Sequence, residues 1–266
     1  MRLANERASV RVPATTANMG PGFDSFGMAF RYYDEVEVRP VAGATHVRVE
    51  GVGEGVVPTG DDNLVVRALR AGLDAVGAPQ AGFEMRCVNR IPHGGGMGSS
   101  ACAAVAGLML ARGLLSDPRA LSDDEVFLIA TGFEGHPDNV APAVFGGATV
   151  AWMEADGTPR AAPMPVDGTL PVSLLVPPPA SRLSTEEARE VLPDSVARAD
   201  ALFNTSRAAV LMLALAGRPD LLMAGTEDRL HQEYRRGVLP ASMAVMDSLR
   251  AQGYPAVISG AGPTVL

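Results

Sequence analysis

The segment RIPHGGGMGSSACAA, Arg90–Ala104, sets four glycines and two serines between a strand-like run, Phe83–Asn89, and a helix-like run, Ser99–Arg112. Each ordered glycine costs roughly 0.5–1 kcal/mol relative to alanine, so the loop must need bare backbone. A strand, a glycine loop and a helix in that order form a phosphate grip. Backbone N–H groups turn inward, and the helix N-terminus adds partial positive charge. Ser99 and Ser100 fall in the first helical turn, where a hydroxyl can meet phosphate or a metal ion. The Walker pattern fails because no lysine follows Gly98. The dinucleotide pattern fits Gly96, Gly98 and Ala101, but a second helical pattern follows at Ser122 where that motif needs a strand ending in an acid. The signature P-x-x-x-G-x-G-S-S-A is matched in full by Pro92, Gly96, Gly98, Ser99, Ser100 and Ala101. A ligand-free turn is the plainer alternative, although one glycine would suffice for it.

Around this loop the periodicities alternate. Ala8–Pro13, Glu35–Arg39 and His46–Glu50 read as strands. Asp61–Gly77 reads as a helix with Leu64, Ala68, Ala71 and Ala75 on one face, Asp62 as a cap and Gly77 as a stop. Ser122 with Glu125 forms a capping box that opens a helix toward Phe133. Pro137 suits the first position of a short helix through Phe145, and Ala148–Met153 is again strand-like. Asp156–Thr169, rich in Pro, Gly and polar residues, is the expected domain linker. Beyond it the pattern gives a strand at Val172–Val176, a second capping box at Ser184 and Glu187, and a long helix from Ser195 to Ala216. More helix is expected from Thr226 and from Pro240, then a strand at Ala256–Ser259.

Composition narrows the function classes. With 266 residues and 47% apolar residues, the chain can bury a substantial core. Its net charge of −8 argues against a general nucleic-acid binder, yet one locally positive pocket can still take a small anion. Cys87 and Cys102 lack metal-ligand spacing and read as buried free thiols of a reducing compartment. The first residues hold no apolar leader core, and the longest apolar stretch, around Ala101–Ala111, is too short to span a bilayer. The expectation is a soluble cytoplasmic protein.

The loop signature resembles the GHMP kinase superfamily. VPATTANMGPGFDSFGMAF from Val12, EGHPDNVAPAVFGG from Glu134 and ISGAGPTVL from Ile258 are similar to the homoserine kinase family in order and separation, across essentially the whole chain. The resemblance implies an α+β, two-domain GHMP kinase fold. Residues 1–160 would form a ribosomal S5 domain 2-like, ATP-binding domain, and residues 161–266 a ferredoxin-like substrate domain. It implies transfer of a phosphoryl group from ATP, with Mg2+, to the side-chain hydroxyl of L-homoserine on the way to threonine. A homodimer is compatible with it.

Residue roles follow from the same resemblance. Pro92, His93, Gly94, Gly95, Gly96, Met97, Gly98, Ser99 and Ser100 would hold the nucleotide phosphates. Asn63 would lie near the nucleoside or else cap a helix. Ser100 and Glu134 would hold magnesium, which needs few protein oxygens because it keeps several waters. Asn18, Asp24, His136, Arg189 and Arg235 would bind the amino acid, with arginine suited to its carboxylate. Asn18 and Asp24 equally suit a plain turn, His136 could cap a helix at Pro137, and Arg236 could replace Arg235. Thr185 could polarise the hydroxyl or simply occupy a first helical turn. Asn139 stands where related kinases carry an aspartate base and cannot take a proton, so no side-chain general base is expected. Asp138, if helical, points about 100° away from it and is passed over. Asn89 replaces a lysine common in relatives, for which Arg90 could compensate. Relatives also continue past the third glycine motif with a closing strand and helix, so an incomplete C-terminal half is expected. A mevalonate-type kinase and a non-catalytic nucleotide-binding relative are the rival readings.

Overall fold

The computed structural model describes residues 1–178 and 184–266. A mixed sheet is its frame, built on an unusually long strand, β2 (Gly22–Val41). β1 (Ala8–Asn18) runs antiparallel to β2, from Ala8 opposite Val38 to Thr16 opposite Met28, with the register broken between Pro13 and Thr15. The other edge of β2 is shared. Its C-terminal half pairs with β4 (Gly82–Asn89) and its N-terminal half with β5 (Ala148–Met153). β3 (His46–Gly51) lies parallel to β4, and β6 (Pro159–Met164) closes a hairpin with β5.

Helices cover one face. α1 (Leu64–Ala75) makes the crossover from β3 to β4 and buries Val65, Val66, Leu69 and Leu73. α2 (Ser99–Leu114) is rich in small residues and buried on most sides, so it runs through the main core between α1 and β1. α3 (Asp123–Glu134) starts at the expected Ser122–Glu125 capping box, and α4 (Val140–Phe145) follows after a turn. In the second half, α5 (Thr185–Glu190) starts at the Ser184–Glu187 capping box. α6 (Arg198–Leu215) packs Leu211 and Leu215 on Met19, Phe26, Ala148 and Met164. A single turn, α7 (Leu222–Gly225), leads toward α8 (Pro240–Ala251), which buries Met243 and Met246 against Ile258 and Val265.

Several expectations change. Asn18 and Asp24 suit a glycine-containing loop on sequence, but Gly22–Phe30 is the first half of β2, because pairing with β1 and β5 outweighs its glycines and polar residues. Asn18 and Asp24 therefore sit at strand ends, Asn18 closing β1 and Asp24 inside β2, with φ of 69° and 53°. β6 stands within the stretch expected to be linker. Asn63, not Asp62, caps α1, its Oδ1 accepting from Val65 N at 3.0 Å. The short helix opens at Val140 rather than Pro137. No regular helix continues from Thr226; a 3-10 turn follows at Glu233–Gly237. The strands expected at 172–176 and 256–259 contribute only isolated bridges, Leu175 to Val265 and Ile258 to Val265.

Candidate active site

The glycine loop hangs from a buried carboxylate. Asp34 on β2 accepts from Arg90 N at 2.6 Å and Ile91 N at 2.9 Å, which fixes the chain as it leaves β4. Burial raises its pKa, and those two hydrogen bonds offset part of the rise. Gly94, Gly96 and Gly98 then take left-handed φ of 62°, 73° and 67°. Close packing adds to that requirement. A Cβ on Gly96 would strike the carbonyl of Ser259, and one on Gly98 would strike Thr15 Oγ1. Gly98 is also the residue from which α2 springs, so the free N–H groups of the first turn of α2 open beside the loop.

Distant segments hold this arrangement together. Thr15 N donates to Met97 O, Gly260 N to Ala17 O, and Thr264 N to Gly95 O. Ser259 Oγ donates to Gly96 O at 2.6 Å and lies 2.7 Å from Thr16 Oγ1. Asn18 Nδ2 donates to Gly260 O, and its Oδ1 accepts from Asp24 N. All three sequence motifs thus meet at one place.

Between them lies a cleft of about 620 Å³. It is lined by Gly94 to Ser100, by Asn18, Asp24, Thr185, Arg189 and Arg235, and by Glu134, His136 and Asn139. Ser100 Oγ donates to Glu134 Oε2 at 2.9 Å, and burial raises the Glu134 pKa. This hydroxyl and carboxylate are hard oxygen donors beside the loop, a set that suits magnesium. Among the described residues, no cluster of three or more His, Cys, Asp or Glu side chains forms a fuller metal site. Arg189 reaches Asp24 through two bonds, NH1 to Oδ2 at 3.1 Å and NH2 to Oδ1 at 2.5 Å. Arg235, 1% exposed, lies behind Phe23 with Arg189 on the same ring. Desolvation, followed by the charge of Arg189, pulls the Arg235 pKa down to about 10. Arg236 is turned away and pairs with Glu233 and Asp247.

Other residues divide differently from the sequence expectation. Asn63 and His93 line a neighbouring cavity of about 870 Å³ that meets the first at Ser99 and Ser100. Asn63 also caps α1, so the capping alternative holds. Pro92 lines neither cavity and packs under Gly95. Arg90 pairs with Glu35 on the surface, 3.2 Å away, and lines neither cavity. His136 caps no helix; its Nδ1 lies 2.6 Å from Asp138 Oδ1. Burial pushes the His136 pKa down, but the hydrogen bond and charge of Asp138 outweigh it and leave the imidazole raised. Thr185 is the first residue of α5 and also faces the cleft.

Some residues in the cleft or packed behind it escape the sequence reading. Asp138 is 2% exposed and lines the cleft, because residues 137–139 form a turn and the helical-wheel argument does not apply. Thr15 donates to Asn139 Oδ1 at 2.8 Å, and Asn139 Nδ2 makes a long contact of 3.5 Å to Asp138 Oδ1, which leaves one of its two N–H groups. Phe23 and His231 stack with ring centroids 5.0 Å apart. The HPDN run and the strand-end PATTAN run were the available signals for the first two.

No helix among the described residues is long and apolar enough to cross a membrane. The family description "GHMP kinases N terminal domain" matches residues 63–147. A homoserine kinase from Clavibacter michiganensis subsp. michiganensis is 49% identical over 262 residues, 98% of this chain and 82% of the relative. One from Streptomyces avermitilis is 49% identical over 97% of this chain and 84% of the relative. The crystal structure of homoserine kinase from Cytophaga hutchinsonii superposes with a TM-score of 0.78 at 25% identity, covering 98% of this chain and 84% of that one. This cleft, with its glycine loop pinned by both chain halves, its oxygen pair and its two arginines, lies in a chain whose likeness to these relatives runs almost end to end, and the chain belongs to the homoserine kinase family of the GHMP kinases.

Proposed function

We propose that this chain transfers the γ-phosphoryl group of ATP to the side-chain hydroxyl of L-homoserine, giving O-phospho-L-homoserine, a step toward threonine. The observation that carries the reading is that one cleft is lined both by the glycine loop, Gly94–Ser100, and by Asp24, Asn18, Arg189 and Arg235. The loop suits a polyphosphate. The side chains suit a zwitterion, with carboxylate for ammonium and guanidinium for carboxylate. Such a transfer depends on positioning and charge neutralisation more than on covalent chemistry, and orientation alone can supply about 7–11 kcal/mol.

Ser100 and Glu134 are the proposed magnesium holders. When bound, the ion neutralises charge on the phosphate oxygens. Asn139 is oriented by Thr15 and Asp138, and its remaining N–H aligns the acceptor hydroxyl or a phosphate oxygen. Asp138 is held by His136 and by Asn139 N, and no group is assigned as a general base. The hydroxyl proton leaves late, to a phosphate oxygen. Asn63 and His93, with the cavity they line, are proposed to take the nucleoside end. The division into an ATP-binding domain, 1–160, and a substrate domain, 161–266, is retained as part of this reading.

ADP release with a panel of hydroxyl substrates tests it. Turnover with L-homoserine and none with mevalonate is expected; turnover with mevalonate alone would overturn the reading.

A further inference from the structure

Arg235 is among the largest fully buried side chains of the molecule, and a guanidinium has five N–H groups and no acceptor. Three are committed to the protein. Nε donates to Ala188 O at 3.0 Å, and NH1 donates to His231 Nδ1 at 2.9 Å and to Gly260 O at 3.1 Å. Among the described residues nothing accepts from NH2, so that nitrogen is what Arg235 has left for a ligand in the cleft.

His231 faces a partner of fixed character on each side. Its Nε2 lies 2.7 Å from Gly20 O, which can only accept, so Nε2 carries the hydrogen. Its Nδ1 faces an arginine nitrogen, which can only donate, so Nδ1 is the bare acceptor. The ring is buried, and it stacks on Phe23 with an interplanar angle of 19°. Asp228 accepts from the backbone N–H groups of Leu230, His231 and Gln232 and so anchors the turn that carries the ring. Burial holds the His231 pKa below its ordinary value. A carboxylate in this position would pair with Arg235 and compete with a ligand for its charge. A neutral imidazole orients the guanidinium and leaves the charge available.

We infer that His231 is the positioning residue of the substrate-carboxylate site, turning Arg235 so that NH2 faces the cleft. The inference rests on the assignment of Arg235 to the substrate carboxylate made above. It is tested by steady-state kinetics of the full chain at saturating ATP. The substrates are L-homoserine and the amino diol in which CH2OH replaces the carboxylate. His231→Gln keeps a donor for Gly20 and removes the acceptor for Arg235, whereas His231→Asn keeps an acceptor in the place of Nδ1. The Gln variant should raise the KM for homoserine by about tenfold or more, with kcat little changed and the KM for the diol unmoved. The Asn variant should stay near the parent, and in an Arg235→Lys background His231→Gln should add no further change. An equal KM rise for both substrates, an Asn variant as impaired as the Gln variant, or a loss carried by kcat would overturn the inference. Thermal unfolding is followed for each variant, and failure of both to fold would overturn it in favour of a purely structural role. If the Gln variant alone fails to fold, the homoserine-to-diol KM ratio of the Asn variant decides: unchanged supports the inference, and shifted tenfold overturns it. An unsubstituted chain that turns over no homoserine would overturn both this inference and the functional reading beneath it.

Discussion

Asp24 and Arg189 face the same cleft and satisfy each other through two hydrogen bonds. A zwitterion entering there can exchange that pair for two of its own, ammonium to Asp24 and carboxylate to Arg189. Arg189→Ala should therefore weaken homoserine binding by about 1.5–3 kcal/mol, the range for a hydrogen bond to a charged group, with ATP affinity unchanged. Titration of each ligand by calorimetry checks this, and an effect confined to ATP would refute the role. Beside the glycine loop, Glu134→Gln should lower turnover by at least the roughly 10–100-fold that loss of a supporting ligand costs a metal site, while homoserine binding survives. Unchanged activity across a magnesium titration would remove Glu134 from the metal assignment. Gly98→Ala should be damaging as well, since it combines a left-handed φ with a collision at Thr15; strain of that kind costs on the order of 1–3 kcal/mol. ATP affinity measured beside the melting temperature would show whether the loss falls on the loop.

Single elements show why some of this architecture was legible in advance and some was not. α3 and α5 begin at capping boxes that the four-residue patterns announce, and the loop before α2 is legible because several adjacent glycines have no cheaper explanation. β2 was half hidden, because its first residues carry glycine and polar side chains and are held extended only by partners far along the chain. β6 was hidden for the same reason, being a proline- and alanine-bearing segment made a strand by β5. Arg189, Arg235 and Glu134 came from motif likeness; Asp138 was lost when a turn was taken for a helix, and His231 had no pattern to single it out. The seam between α1 and α2 gives a test at this scale. A Cβ on Gly107 would press on the Val65 carbonyl and Ala68, so Gly107→Ala should destabilise the fold by about 1–3 kcal/mol, the usual range for overpacking. Denaturant unfolding should shift its midpoint while the KM for homoserine stays put, since neither Gly107 nor the residues its Cβ would press line the cleft assigned to homoserine.

Across the whole molecule, protonation of His136 links the site to stability. Its pKa is raised in the folded state above the ordinary 6.5, so its contribution is fully present below pH 6.5 and is lost as pH rises through the folded value. The melting temperature of the parent minus that of His136→Gln should be largest on the acid side of 6.5 and shrink on the alkaline side. A difference independent of pH would show that Asp138 does not hold the imidazole charged.

The hydrogen bond from Asn18 to Gly260 spans 242 positions, and Ser259 to Thr16 spans 243. On a ribosome, the phosphate loop would emerge long before the residues that brace it. A nascent chain would therefore build its sheet and helical core first and remain unable to grip a nucleotide until residues 259–264 had cleared the exit tunnel.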